Sequence, residues 1–128
     1  MSAIIHIEIT DSPDFLYQKP IIAWAKKEFK DITTFDIDNH SDSQLFQFAA
    51  SLIDKEERVI IYFDVKNEAG SGKFLSLAET IIKNKERCFV SMKGDSKILQ
   101  KMFSLLKENF KHNLNESELK HAITNALH

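Results

Sequence analysis

The sequence has one cysteine, no excess of basic residues and no long uninterrupted apolar run, and each absence removes a class of protein. The lone Cys88 cannot close an internal disulfide; set in an apolar run, it reads as a small buried hydrophobe rather than a nucleophile. The 17 Lys and Arg stand against 19 Asp and Glu, a formal charge of -2 at pH 7, so the surplus that neutralises nucleic-acid phosphates is missing. Near the amino terminus Ile4, Ile5, Ile7 and Ile9 are interrupted by His6 and Glu8, with no basic stretch ahead of them. That pattern is neither a signal peptide nor a membrane span, and the expectation is a cytoplasmic protein that contacts no membrane. Internal repeats, low-complexity tracts and linkers are also absent. With 128 residues, 43% of them hydrophobic, the chain can bury one core but not two, so a single domain over 1–128 is expected.

What is present is an alternation of strand and helix signals. Residues 3–10 put Ala3, Ile5, Ile7 and Ile9 on one face and Ile4, His6, Glu8 and Thr10 on the other, which predicts a half-buried strand with one polar face. A turn follows at Asp11-Ser12-Pro13-Asp14, and Pro20 suits the first turn of a helix over about 19–29 carrying Ile21, Ile22, Ala25 and Phe29. Residues 33–38 read as a second strand. Ser41 and Gln44 have capping-box spacing ahead of the stripe Leu45, Phe48, Ala49, Leu52 and Ile53. The run Val59-Ile60-Ile61-Tyr62-Phe63 does not alternate, as expected of a central strand covered on both faces.

Residues 67–72 break the chain, Ser71 can cap, and Phe74, Leu77, Ala78, Ile81 and Ile82 form the next helical stripe. Residues 88–92 are a short fourth strand, after which Asp95 or Ser96 starts a helix with Ile98, Leu99, Met102, Phe103, Leu106 and Phe110 facing inward. Residues 110–114 read as a fifth strand or a linker. Asn115 and Glu118 make a second capping box before a terminal helix with Leu119, Ala122, Ile123, Ala126 and Leu127. The order predicts an α/β fold: a single three-layer α/β/α domain, flavodoxin-like or STAS-like, with a mainly parallel sheet of four or five strands and about five helices.

In such a sheet a ligand sits beyond the carboxyl ends of the strands. That rim holds Asp11, Ser12 and Asp14, then residues 38–42, 64–71 and 91–96, and the candidate ligand-binding residues are Asp11, Asp38, Asp64, Gly70, Ser71, Gly72, Lys73 and Ser91. The segment Asn67-Glu68-Ala69-Gly70-Ser71-Gly72-Lys73-Phe74 is glycine-rich and lies between a strand and a helix, where backbone N–H groups cradle phosphate. It departs from the Walker A pattern, with Asn67 at the first glycine and Phe74 at the magnesium-binding hydroxyl. Asp36, Asp38, His40 and Asp42 alternate as oxygen and nitrogen donors, yet Ser41 and Gln47 stand where a calcium loop needs glycine and glutamate. No metal or other cofactor is therefore expected. His6 and Glu8 share a strand face that could meet Asp36 and Asp38 in a charged cluster able to supply a general acid and base. No Ser/His/Asp order, paired cysteines or G-x-G-x-x-G names a reaction, so no catalytic residue is assigned.

Two family resemblances follow from these motifs. Asp64 closing the third strand, Asp11 after the first and Ser91 ending the fourth resemble the layout of two-component receiver domains, which implies Asp64 as phosphoryl acceptor; the adjacent acidic pair and fifth-strand lysine of that family have no counterpart. Over residues 58–127, Tyr62-Phe63-Asp64-Val65 leading to a turn and helix, and Asn115-Glu116-Ser117-Glu118-Leu119-Lys120-His121-Ala122-Ile123 at the end, are similar to STAS domains of the sulphate-transporter and anti-sigma-factor-antagonist family. That resemblance implies a phosphorylatable serine in the turn Ala69-Gly70-Ser71-Gly72, where the usual position is glycine and Ser71 is its neighbour. The functional expectation is a non-enzymatic regulatory or protein-interaction domain with a protein partner and room for a homodimer. The alternative is a module that binds a small ligand, phosphoryl group or nucleotide in the strand-end loops.

Overall fold

The computed structural model describes residues 1–11 and 19–127; the turn residues Ser12, Pro13 and Asp14 lie outside the described residues. In chain order the elements are β1 (Ser2–Ile9), α1 (Pro20–Glu28), β2 (Ile32–Asp38), α2 (Ser43–Lys55), β3 (Arg58–Val65), α3 (Leu75–Lys83), β4 (Cys88–Lys93), α4 (Lys97–Phe103), β5 (Phe110–His112) and α5 (Glu116–Leu127). The strands form one parallel sheet in the order β2-β1-β3-β4-β5. β3 is central, which is why its apolar run does not alternate. Ala49, Leu52 and Ile53 of α2, Leu77, Ala78 and Ile81 of α3, and Leu99 and Phe103 of α4 pack on one face of the sheet. Ile21, Ile22 and Ala25 of α1, with Leu119 and Ile123 of α5, pack on the other. This is the three-layer α/β/α domain, with the five-strand alternative realised because β5 pairs with β4.

Four local expectations are corrected. β1 is not half-buried: residues 3–10 are all buried, because β2 and β3 flank the strand, helices cover one face and the amino-terminal part of the other, and Lys19 and Lys66 bond Glu8. The cap of α2 is Asp42, whose side chain accepts from the backbone N–H groups of Gln44 and Leu45, while Ser41 Oγ accepts from Asp38 N at 3.1 Å. Ser71 caps nothing; Asn67 accepts from Ala69 N and opens a 3₁₀ turn over Glu68–Phe74 that runs into α3. The helix after β4 stops at Phe103 and a second 3₁₀ turn, Ser104–Asn109, contains Lys107 at φ 54. The chain thereby changes direction, Phe110 enters β5 instead of extending the helical stripe, and Ile98 is left exposed. The second capping box forms as expected, with Glu118 N donating to Asn115 Oδ1 at 2.8 Å and Asn115 N donating to Glu118 Oε1 at 3.0 Å. Cys88 is buried, and burial pushes its thiol up to about 12. Among the described residues no helix is long and apolar enough to cross a membrane.

Candidate ligand pocket at the strand ends

Paired residues of parallel strands point to the same side, so the face under α1 and α5 is a stack of rows. Thr34, Ile4, Ile60 and Phe89 form one row, and Ile4 and Ile60 are buried under the two helices. The next row toward the carboxyl ends is Asp36, His6, Tyr62, Ser91 and Lys111. The last is Asp38, Glu8, Asp64 and Lys93. The face thus turns from apolar to polar within one row, where the roof also ends, because α1 starts at Pro20 and α5 at Glu116. A cavity of about 530 Å³ opens there, lined by His6 and Glu8 of β1, Tyr62 and Asp64 of β3, Lys66, Lys93 and Lys19, with apolar walls from Pro20, Ile21, Leu114 and Leu119 and a rim at Asn115 and Glu116. Its size is that of small-molecule sites. Its place follows from connectivity: from β1 the chain goes to β2 on one side and returns to β3 on the other, so the connections diverge between β1 and β3.

Glu8 organises the charge. Its side chain is 4% exposed, and one oxygen, Oε2, accepts from Lys19 Nζ at 3.2 Å and Lys66 Nζ at 3.1 Å. Burial alone would raise its pKa, but the bonds from Lys66 and Lys19 outweigh that and hold it below the ordinary glutamate value. His6 is 3% exposed. Burial, then the Lys19 charge and more weakly Lys66, lower it to about 4 against the raising effect of Glu8 and its own backbone, so the ring is neutral at pH 7. Its Nδ1 is buried without a hydrogen-bond partner among the described residues, and the ring meets Tyr62 edge-on at 5.3 Å. Burial, and secondarily Asp64, raise the Tyr62 phenol to about 12. At neutral pH the cavity therefore presents an ionised carboxylate between two ammonium groups, a neutral imidazole and a neutral phenol.

Of the residues singled out by sequence, Asp64 lines this cavity together with His6 and Glu8. Asp36 and Asp38 stand beside them in register but do not line it. Asp38 Oδ1 accepts from His40 N at 2.6 Å, His40 Nε2 bonds Thr10 O at 2.8 Å, and Asp42 is occupied as a cap. No group of three or more His, Cys, Asp or Glu able to hold a metal occurs among the described residues. Asp11 is exposed and accepts from Asn67 Nδ2 at 2.6 Å. Gly70, Ser71, Gly72 and Lys73 sit in the 3₁₀ turn beyond the opposite face; a Cβ on Gly70 would fall 2.4 Å from Asn39 Nδ2, so its role is close approach. Ser71 is buried and accepts from Ser96 Oγ at 2.7 Å, whereas Gly72 and Lys73 are exposed. Ser91 is buried between Tyr62 and Lys111 in the second row, outside the cavity lining.

Sequence reasoning did not single out Lys19, Tyr62, Lys66 or Lys93. A signal existed: Tyr62, Asp64 and Lys66 share parity along β3 and its exit, and Ser91 and Lys93 do so along β4. No family model, curated protein or solved structure matches the chain.

Proposed function

We propose that this chain is a small-ligand-binding module whose ligand occupies the cavity between the ends of β1, β3 and β4. The observation that carries the reading is the abrupt change of one sheet face from apolar to polar at the topological switch point, where buried His6 and Glu8 meet Tyr62 and Asp64 around about 530 Å³. Burying an ionised glutamate and a histidine whose Nδ1 has no partner among the described residues is unfavourable for folding alone, and such groups concentrate where a site needs them. A regulatory role fits a domain that senses a ligand here.

The test is a thermal-shift screen with nucleotides, flavins, phosphate donors and small organic acids and amines. A ligand at 100 times its dissociation constant adds about 2.7 kcal/mol of stability. Leu114→Trp, which fills the cavity from a half-buried wall position, is expected to abolish the shift while the protein stays folded. A ligand whose binding survived that substitution would move the site elsewhere, and no stabilisation by any compound would remove the reading.

A second reading, a protein-interaction domain, is supported by Leu45 and Phe48, exposed on α2 beside the edge strand β2, where the Phe48 ring meets Phe35 at 4.8 Å. Sedimentation of wild type and Phe48→Ser against concentration tests whether that surface joins two copies.

A further inference from the structure

We propose that copies of this chain associate edge to edge, with the acidic β2–α2 edge of one copy seated on the basic α4 edge of the next. This rests on the second reading above, in which the Leu45–Phe48 surface meets another copy, and adds what that surface meets.

The exposed apolar residues are not scattered. Among the described residues the exposed large hydrophobics are Met1 at the terminus, Leu45 and Phe48 on α2, Ile98 on α4 and Leu105 in the turn that follows α4. Leu45 and Phe48 stand three residues apart on one side of α2, and half-buried Phe35 of the edge strand β2 extends their patch through its ring contact with Phe48. Half-buried Met102 lies between Ile98 and Leu105, four residues after the first and three before the second. The two patches occupy opposite ends of one helix layer, because α3 packs against both α2 and α4 while β2 and β5 are the two edges of the sheet. Apolar patches rimmed by polar residues mark association surfaces.

Charge decides which patch meets which. Residues 32–54 carry Asp36, Asp38, Asp42 and Asp54 and no lysine or arginine, whereas residues 96–107 carry Lys97, Lys101 and Lys107 and no acid. Asp36, Asp42 and the three lysines are exposed. Flanking charges leave both signs in place: Lys30 has Asp31 beside it, Lys55 has Asp54, Glu68 shares its 3₁₀ turn with Lys73, and Glu108 stands between Lys107 and Lys111. Asp95 Oδ1 lies 3.2 Å from His112 Nε2. Two α2 edges face to face would set aspartates against aspartates, and two α4 edges lysines against lysines, which costs affinity. An α2 edge on an α4 edge sets opposite charges around two apolar centres, the apolar core and polar rim of a protein interface. Because the patches lie at opposite ends of the layer, the contact is heterologous. Each copy keeps one patch for a further copy, so association runs past the dimer to a ring or a filament.

The experiment is sedimentation velocity on the full chain over a concentration series, with Phe48→Ser and Leu105→Ser studied separately and then mixed. Wild type is expected to grow beyond the dimer with concentration, and less so at high salt, where attraction between aspartates and lysines is screened. Each variant alone has one spoiled edge and is expected to associate at least about tenfold more weakly, the scale of losing one interface anchor. Mixed, the two variants restore one intact α2–α4 contact, so a dimer of one variant with the other is expected, with no larger species. Leu45→Ser takes the place of Phe48→Ser if loss of the Phe35 contact unfolds that variant. A wild type that stops at the dimer, mixed variants that stay monomeric, or an association that Phe48→Ser weakens and Leu105→Ser does not, overturns the edge-to-edge contact and leaves the α2 surface joining two copies. A wild type that is monomeric throughout, or an association that Phe48→Ser does not weaken, overturns both.

Discussion

The two faces of the sheet obey different rules. Under α2, α3 and α4 the strands present Ala3, Ile5, Ile7 and Ile9 of β1 and Val59, Ile61, Phe63 and Val65 of β3, apolar from end to end and interlocked with Phe74 and Phe103. Under α1 and α5 the same strands present Ile4 and Ile60, then His6 with Tyr62, then Glu8 with Asp64. One face is packed for stability along its full length. The other is packed only over its amino-terminal part, and its carboxyl-terminal part holds charges that a folding domain without a ligand would do better to omit.

The largest expected effect breaks the comparison from the apolar side. Phe63 is fully buried, with its ring 5.3 Å from Phe103 and 6.1 Å from Phe74. Phe63→Ala should cost about 3–5 kcal/mol in urea unfolding, from lost transfer energy and the cavity left behind. A cost below about 1 kcal/mol would mean that this face is not the tightly packed one.

The next effect belongs to the polar face and is read by pH. His6 has a folded pKa of about 4 against 6.5 when unfolded, so between those values the unfolded chain binds the proton and the folded one does not. The His6 contribution should be constant from pH 6.5 to 8 and fall as pH drops toward 4, by about 3 kcal/mol over the window. His6→Phe should flatten that slope without altering the plateau at pH 8 by a comparable amount. Glu8 adds a separate loss at lower pH: its depressed pKa contributes stability above the unfolded glutamate value that disappears as pH falls through the folded value. A flat melting temperature from pH 8 to 5 in the wild type would contradict the buried, neutral His6.

Glu8→Gln at pH 7 comes third. It replaces the carboxylate that accepts from both Lys19 and Lys66 with a neutral amide, where Lys19 is largely buried and Lys66 half in water. The expected loss is about 2 kcal/mol, below that of a fully buried pair because water reaches Lys66. Chemical denaturation of wild type and variant at pH 7 measures it, and a loss below about 0.5 kcal/mol would mean that the Glu8 charge does not hold this end of the sheet.

These contrasts explain what the sequence revealed. The fold was legible because periodicity reports burial: the unbroken run of β3 placed it at the centre, and the Asn115–Glu118 pair marked the start of α5. β1 misled because alternation is ambiguous. His6 and Glu8 read as solvent-facing, yet both are buried, and Glu8 accepts from Lys19 and Lys66, 11 and 58 residues further along the chain. The site was legible only in outline, at the strand ends, since which loops converge depends on strand order. Glycine content drew attention to residues 70–73, but close packing of Gly70 on Asn39 and Ile9 accounts for glycine there without any ligand.

Ser71 gives the smallest and sharpest contrast, because it is polar on the side where polarity has no charge to serve. Ser71 is 2% exposed and its hydroxyl accepts from Ser96 Oγ, of a fully buried residue, so the two hydroxyls satisfy each other beneath the 3₁₀ turn. Ser71→Ala strands the Ser96 donor and should cost about 1 kcal/mol, whereas Ser71→Ala with Ser96→Ala removes both partners and should cost less than the single change. Urea unfolding of the two single variants and the double variant measures that coupling. Neither substitution should alter ligand affinity at the cavity, since the pair lies beyond the other face of the sheet. A loss of affinity in Ser71→Ala equal to that in Leu114→Trp would show that the two faces act as one site.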